Sequence, residues 1–169
     1  MENHYVFSAP GRTEICGNHT DHQHGCVLAA AVDLETVAAV QLNDSDLIQV
    51  QSEGYPLVTV DLNDLAVREE EKNTTAALIR GVAHAFVERG AKLSGFHAEV
   101  RSTVLPGSGL SSSAAFEVLI GTILNELFFE KKLTAIEIAQ IGQYAENVYF
   151  GKPCGLMDQM ASSVGGMVY

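Results

Sequence analysis

The sequence predicts an α+β fold, because two parts of the chain carry different hydrophobic periodicities. Up to residue 62, apolar residues run continuously or alternate with polar ones, which is typical of strands. Beyond residue 74 they mostly recur every three or four positions, as on one face of a helix. The chain has 169 residues and a hydrophobic content of 47%, so we expect one domain with its own core.

The predicted strands follow one another in the first part of the chain. Residues 5–8 form a short strand that the following Ala-Pro-Gly stops, and residues 12–25 form a polar segment rich in histidine. Residues 27–42 are apolar enough for buried strands. Residues 47–62, LIQVQSEGYPLVTVDL, alternate on both sides of a Glu-Gly-Tyr-Pro turn, which predicts a β-hairpin.

The first predicted helices flank a further strand. Residues 75–89 carry apolar side chains on one helical face and end at Gly90, a C-cap glycine. These side chains are Leu78, Ile79, Val82 and Phe86. Alternation over residues 96–102 predicts a strand that enters a glycine-rich loop, and residues 114–128 leave the loop as a helix.

The last part of the chain predicts one more helix and the start of a strand. Thr134 and Glu137 match a capping box, so we expect a helix from there to about residue 149. A Gly/Pro loop, FGKPCG, is followed by the short segment LMDQMASS and by the strand-like GGMVY. Because the final residues are apolar and lie within a strand pattern, we expect the chain to be part of a longer protein.

Composition excludes several classes of function. The net charge of −11, with no cluster of Lys and Arg, argues against nucleic acid or an anionic membrane as partner. No apolar run reaches the length of a membrane helix, and the N-terminus lacks the pattern of a secretory signal. The odd set of Cys16, Cys26 and Cys154 has no metal-binding spacing, so we expect a reduced, cytoplasmic protein.

The segment VLPGSGLSSSAAFEVLIG combines three glycines and four serines where a helix must begin. One serine suffices as an N-cap, so the alternative is an anion cradle in which backbone N–H groups and the positive helix end hold phosphate. The segment lacks the lysine of a Walker A loop and the third glycine of a Rossmann fingerprint. Its amides can nevertheless surround a triphosphate, and a serine on the first helical turn can bind Mg²⁺.

The segment APGRTEICGNHTDHQHG has three interpretations. It can be a solvated loop, or it can hold zinc, although the spacing matches no established ligand set. The zinc ligands would be His19, His22, His24 and Asp21. The third interpretation is that these short polar groups, beside the charge of Arg12, form hydrogen bonds with a polyhydroxylated ligand.

Two acidic residues near the end of the chain also have alternatives. Asp158 can cap the short helix that contains it, or it can orient or deprotonate a hydroxyl nucleophile. Glu146 can lie at the surface near a helix end, or it can be a second ligand of Mg²⁺.

Taken together, GRTEICGNHTDHQHG, LPGSGLSSSAAFE and CGLMDQMASS resemble the three N-terminal landmarks of the GHMP kinases, and the first and third resemble its galactokinase branch. The resemblance covers nearly the whole chain, including IRGVAHAF. It implies the N-terminal fold of that family, which is similar to ribosomal protein S5 domain 2: a mixed sheet with helices packed on one face. It also implies a C-terminal domain, absent from this chain, that forms the other wall of the active site.

The resemblance assigns roles position by position. Asp158 matches the catalytic aspartate, and Arg12 matches the arginine that pairs with it near the anomeric hydroxyl. The sugar-binding positions are matched by Asn18, His19, Asp21 and Gly155. The ATP phosphate loop is matched by Pro106, Gly107, Ser108, Gly109, Leu110, Ser111, Ser112 and Ser113. The Mg²⁺ ligands are matched by Ser113 and Glu146.

The implied reaction transfers the γ-phosphoryl group of ATP, with Mg²⁺, to the anomeric hydroxyl of galactose or a related sugar. Three positions depart from the galactokinase pattern, because Glu14 stands for Asn, Asn18 for Glu and His22 for Tyr. These departures leave the preferred sugar open. Two alternatives remain: a GHMP kinase for another small molecule, and a regulator that binds sugar and ATP without turnover.

Overall fold

The chain forms a β-sheet covered by helices in the computed structural model, which describes residues 4–23 and 25–169. The strands in this part are β1 (His4–Cys16), β2 (Leu28–Leu42), β3 (Leu47–Ser52), β4 (Val58–Asp61), β5 (Phe96–Ser102) and β6 (Met167–Val168). The α-helices are α1 (Thr75–Glu88), α2 (Ser112–Phe128), α3 (Ala135–Tyr144) and α4 (Met157–Val164). A π-helical turn, Ala145–Phe150, follows α3 directly. Within the same residues, no helix combines the length and apolarity needed to cross a bilayer.

The sheet is mixed, as predicted. Its strand order is β1-β2-β5-β3-β4, and β6 pairs with one end of β2. β3 runs parallel to β5, whereas the other neighbouring strands are antiparallel. The predicted hairpin is confirmed as β3 and β4, and the strand and helix that flank the glycine-rich loop are confirmed as β5 and α2.

The helices pack against one face of the sheet. Along β5 the side chains of Phe96, Ala98 and Val100 are buried, whereas Glu99 between them is exposed. The buried set belongs to the same apolar cluster as Phe86 of α1 and much of α2. The alternation that predicted this strand therefore marks the face that the helices cover.

β1 is longer than the sequence predicts. The expectation that a polar segment begins at residue 12 is wrong for residues 12–16, which continue the strand beyond Pro10. β1 lies at the edge of the sheet, where a residue without an N–H group interrupts no central ladder, and its register shifts between Pro10 and Arg12. As a result, Arg12 and Glu14 project from a strand rather than from a loop.

α3 is shorter than predicted, although its start is confirmed. Thr134 and Glu137 form the reciprocal bonds of a capping box. The α-helix ends at Tyr144 instead of near residue 149, and the chain continues as the π-helical turn that carries Glu146. A π-helical turn changes which residues share a helical face, and apolar spacing alone does not predict it.

Candidate active site

The three segments that carry the sequence motifs border a cavity of about 480 Å³. They are the end of β1 with the loop that follows it, the glycine-rich loop with the start of α2, and the loop that leads into α4 with its first turn. The residues that line the cavity are Arg12, His19, Asp21, His22, Leu105, Gly107, Gly109, Ser111, Ser112, Ser113, Lys152, Pro153, Cys154, Gly155 and Asp158. The fold thus brings together motifs that lie far apart in the chain.

Asp158 joins two of these segments through its carboxylate. Arg12 Nε donates to Asp158 Oδ1 at 2.6 Å, and Ser111 Oγ donates to Asp158 Oδ2. Arg12 is 5% exposed, and its Nη1 donates to the carbonyl of Gly109 at 2.7 Å. The guanidinium therefore holds the carboxylate and the glycine-rich loop in one arrangement, with Asp158 facing the cavity.

The glycine-rich loop has the backbone that an anion cradle needs. Gly107 and Gly109 have φ angles of 77° and 78°, in the left-handed region that favours glycine. Ser111, the residue before α2, also lies in this region, and its side chain does not cap the helix because its hydroxyl binds Asp158. The first N–H groups of this 17-residue helix are consequently not engaged by the usual capping side chain.

Glu146 lies behind the start of α2. Ser113 Oγ donates to Glu146 Oε1 at 3.1 Å, and Lys152 Nζ lies 3.6 Å from the same oxygen. The Glu146 side chain is only 3% exposed, whereas that of Lys152 is 63% exposed. The π-helical turn thus aims a buried carboxylate at the one serine of the loop that the resemblance assigns to metal binding.

A buried polar cluster supports Glu146 from the other side. Gln159 of α4 donates through Nε2 to Glu146 Oε2 at 2.8 Å and to Glu117 Oε2 at 3.0 Å. Burial raises the pKa of Glu117 well above its usual range, and the neighbouring Glu146 carboxylate raises it further. Burial also raises the pKa of the Cys154 thiol, to about 12, so this thiol is poorly ionised at neutral pH.

The loop after β1 is attached to the start of α4. Asp21 Oδ2 accepts a hydrogen bond from the backbone N–H of Met157 at 3.0 Å. A Cβ atom on Gly155 would collide with the Asp21 carboxylate, so a glycine is required for this close approach. His19 Nε2 lies 3.4 Å from Arg12 Nη2. Of the predicted sugar-binding positions, His19, Asp21 and Gly155 therefore line the same cavity as the Arg12–Asp158 pair.

The structure brings most of the predicted site residues together. Some lie outside the cavity lining: Asn18, Pro106, Ser108, Leu110 and Glu146. Asn18 is exposed, and Ser108 Oγ turns back to the carbonyl of Leu105 at 2.6 Å.

Sequence reasoning assigned no role to several residues of the site, among them Lys152, Glu117 and Gln159. A signal for Glu117 exists, because it is an acidic residue with apolar neighbours on both sides in α2. A signal for Lys152 is its place in the Gly/Pro loop between Glu146 and Asp158. Nothing in the local pattern marks Gln159.

The zinc interpretation gains no support from the geometry. Among residues 4–23 and 25–169, no group of three or more His, Cys, Asp or Glu side chains could hold a metal ion. His24, one of the four candidate ligands, lies outside the described residues. Of the other candidates, Asp21 is bonded to the start of α4.

Comparison with known proteins places the chain in a family. Residues 77–166 match the family described as "GHMP kinases N terminal domain", and residues 1–42 match the "Galactokinase galactose-binding signature". Because the first match covers more than half of the chain, the chain belongs to the GHMP kinases, and the mixed sheet with its four helices is the fold of that family.

Within this family the chain is similar to galactokinases. It is 33% identical over 160 residues to the galactokinase of Clostridium tetani and 37% identical over 158 residues to that of Streptomyces coelicolor. These matches cover 94% of this chain but only 40% and 41% of the relatives. The chain thus spans about two fifths of the curated relatives that it matches.

Solved structures agree with this relationship. The Lactococcus lactis galactokinase complexed with galactose has a TM-score of 0.88 and 29% identity, over 96% of this chain and 42% of that one. The Methanococcus jannaschii mevalonate kinase, at 17% identity, has a TM-score of 0.82 over 98% of this chain and 52% of that one, and shows the shared fold alone.

Proposed function

We propose that this chain is the N-terminal part of an ATP-dependent sugar 1-kinase, which transfers the γ-phosphoryl group of ATP to the anomeric hydroxyl of galactose or a related sugar. The observation that carries the proposal is the contact of Asp158 with both Arg12 and Ser111. This contact joins the segment that matches the galactose-binding signature to the helix end suited to phosphate. This contact supports a role for one carboxylate between the two substrates that such a reaction needs.

Asp158 contacts the attacking hydroxyl of the sugar, and Arg12 positions the Asp158 carboxylate. The carboxylate accepts the proton of the anomeric hydroxyl or orients that hydroxyl, the oxygen attacks the γ-phosphorus, and the bond to the β-γ bridging oxygen breaks to release ADP. Arg12 holds the carboxylate at 2.6 Å and carries the charge that stabilises it. Ser111 is released from Asp158 when the sugar hydroxyl takes its place.

The glycine-rich loop holds the triphosphate of ATP. The left-handed backbone at Gly107, Gly109 and Ser111 is of the kind found in anion-binding nests, and the positive end of α2 adds a favourable field for anions. The residues of this ATP site are Pro106, Gly107, Ser108, Gly109, Leu110, Ser111, Ser112 and Ser113. Backbone amides suit this protein, because its net charge of −11 is unfavourable for polyanions elsewhere.

Ser113 and Glu146 fit Mg²⁺. They offer a hydroxyl and a carboxylate oxygen 3.1 Å apart, and Mg²⁺ prefers such hard oxygen ligands, using one or two protein groups together with substrate phosphates. The ammonium of Lys152 lies 3.6 Å from the same carboxylate oxygen, which is consistent with a carboxylate that attracts cations. When bound, Mg²⁺ would neutralise charge on the β- and γ-phosphates.

The sugar is held by the loop after β1. His19 and Asp21 offer an imidazole and a carboxylate near the anomeric end, and the backbone of Gly155 closes one side. Asn18 is assigned to the far end of the sugar, where an amide both donates and accepts hydrogen bonds. The amide at this position is compatible with galactose and with its epimers.

We also propose a domain composition, partners and a cellular compartment for the complete protein. A second, C-terminal domain would supply the other wall of the cleft, since the chain spans about two fifths of its relatives. The partners are a sugar and ATP, rather than nucleic acid or a membrane. The free thiols of Cys16, Cys26 and Cys154 suit a reducing compartment such as the cytoplasm.

The direct test is phosphoryl transfer by the complete protein. ATP is supplied with galactose and its epimers, and sugar 1-phosphate and ADP are measured. We expect turnover with one of these sugars. Binding of sugar and ATP without transfer contradicts the proposal and favours a regulator, whereas transfer only to a substrate that is not a sugar favours another GHMP kinase.

A further inference from the structure

Glu14, on β1 just outside the cavity lining, makes two contacts with one residue, His19. Its Oε1 accepts a hydrogen bond from the backbone N–H of His19 at 2.8 Å, and its Oε2 contacts Nδ1 of the His19 ring. The Glu14 side chain is 14% exposed, whereas the His19 side chain is 58% exposed. The carboxylate thus lies behind the ring, and the ring faces the cavity.

The contacts at the two ring nitrogens of His19 determine which nitrogen carries a proton. An ionised carboxylate only accepts hydrogen bonds, so Nδ1 must carry a proton to satisfy Glu14. The guanidinium of Arg12 only donates, and its Nη2 lies 3.4 Å from Nε2, so Nε2 must keep its lone pair. The arrangement is consistent with the neutral ring protonated at Nδ1, since a proton on Nε2 would face another donor.

The backbone of the same loop depends on Glu14 as well. Asn18 and His19 have φ angles of 57° and 52°, in the left-handed region that residues with a side chain adopt at a cost. The bond from the His19 N–H to Glu14 attaches this strained turn to the edge strand β1. Glu14 therefore controls the position of the ring as well as its protons.

We propose that Glu14 is a positioning residue that presents His19 Nε2 to the cavity as an obligatory acceptor, and that this acceptor selects a sugar hydroxyl as donor. The inference rests on the proposed function, because it names how that site recognises its sugar. Arg12 Nη2 lies at a long 3.4 Å from His19 Nε2, so a sugar hydroxyl can replace this weak contact. Glu14 and His19 affect binding of the sugar, and they are not expected to affect binding of ATP.

The protonation pattern can be tested without catalysis. In the complete protein with ¹⁵N-labelled histidine, His19 is assigned from the signals lost in a His19→Gln variant, and its ring nitrogens are observed near pH 8. We expect a proton on Nδ1 and none on Nε2. In the Glu14→Gln variant the side-chain amide can donate to Nδ1, so a population with the proton on Nε2 should appear. A wild-type ring protonated at Nε2 overturns the proposal.

The functional consequence is tested by separating the two substrates. For Glu14→Gln we expect KM for the sugar, and its Kd from calorimetry, to rise by about tenfold, because a binding group becomes mismatched. KM for ATP should stay within about twofold, because ATP binds on the other side of the cavity. The matched control is Glu88→Gln, which removes a carboxylate 3.8 Å from His84 Nε2, with neither residue in the cavity lining, and should change neither constant.

The outcomes separate this inference from the proposed function. If the wild-type protein binds galactose or an epimer but transfers no phosphate, the proposed kinase activity fails, and the effect of Glu14→Gln on sugar Kd still supports or overturns the role of Glu14. Unchanged sugar affinity in Glu14→Gln overturns it, as does an equal loss of affinity for sugar and ATP. Circular dichroism of both variants ensures that folded proteins are compared.

Discussion

Among the individual side chains, Asp158 has contacts that constrain its role. Its two oxygens bind Arg12 and Ser111, so an asparagine can keep part of the geometry but cannot take a proton. In the complete protein we expect Asp158→Asn to lower kcat by about 10²–10⁴, the range for loss of a positioned general base. Steady-state kinetics measure the effect, with Asp33→Asn on the exposed part of β2 as control. Near wild-type activity in Asp158→Asn would mean that the carboxylate only fastens α4 to β1.

Lys152 supplies positive charge that the glycine-rich loop lacks. Its side chain is 63% exposed and its ammonium has a long contact with Glu146 at 3.6 Å, whereas the arginine of the lining, Arg12, is buried. We expect Lys152→Met to raise KM for ATP by about three- to tenfold, because a partly solvated contact with phosphate is lost, and to leave KM for the sugar nearly unchanged.

The matched control for Lys152 is Lys72→Met. Lys72 pairs with Glu69 at 2.7 Å and lies outside the cavity lining. Its replacement should leave KM for ATP at the wild-type value. Equal KM values for ATP in Lys152→Met and Lys72→Met would show that Lys152 does not contact ATP.

Among the secondary-structure elements, α1 is anchored to the segment before it by an ion pair between a buried arginine and a partly buried glutamate. Arg80 of α1 is 2% exposed, and its Nε and Nη2 donate to the two carboxylate oxygens of Glu71, each at 2.8 Å. Loss of one partner leaves an uncompensated buried charge. We therefore expect Glu71→Gln to lower the free energy of unfolding by about 3 kcal/mol at neutral pH.

The pH dependence of this loss has a definite sign. The hydrogen bond from Arg80 lowers the pKa of Glu71 below its ordinary 4.5, so the pair stabilises the fold above that pH and loses its effect as the pH falls through the lowered pKa. Urea denaturation at several pH values should show a constant difference between wild type and Glu71→Gln from about pH 6 to 8, and a smaller one in acid. Glu70→Gln, at an exposed neighbour, is the control. A difference that persists undiminished in acid would assign the effect to packing.

Local sequence patterns predicted the presence of helices and strands far better than the residues at which they end. The capping box at Thr134 was predictable because both partners lie within four residues. The continuation of β1 past Pro10 was not, because it depends on the strand lying at the sheet edge, which is a property of the whole topology. The π-helical turn likewise has no signal in apolar spacing.

For the candidate site, too, local patterns predicted some features and missed those that depend on contacts between distant residues. Sequence motifs predicted which segments border the cavity, but the pairing of Arg12 with Asp158 joins residues 146 positions apart and needed the family resemblance. The supports of the site, such as Gln159 between two glutamates, were missed because a buried hydrogen-bond network has no period along the chain.

The chain as a whole presents an open site. Its cavity is bordered by residues of three segments, and the chain covers about 40% of the galactokinases that it matches. Phosphoryl transfer depends on positioning and on exclusion of water, and the proposed C-terminal domain would contribute to both as the second wall of the cleft. We expect residues 1–169 alone to transfer phosphate at least about a hundredfold more slowly than the complete protein.

This expectation is tested with both proteins prepared and assayed alike. Circular dichroism and thermal denaturation establish that the isolated chain is folded, and calorimetry with galactose tests whether the sugar loop is formed. Weak sugar binding without turnover is the expected result, because His19, Asp21 and Asp158 are all supplied by this chain. Turnover of about 1–100 s⁻¹, typical of kinases, would show that these residues suffice for catalysis and that no second wall is needed.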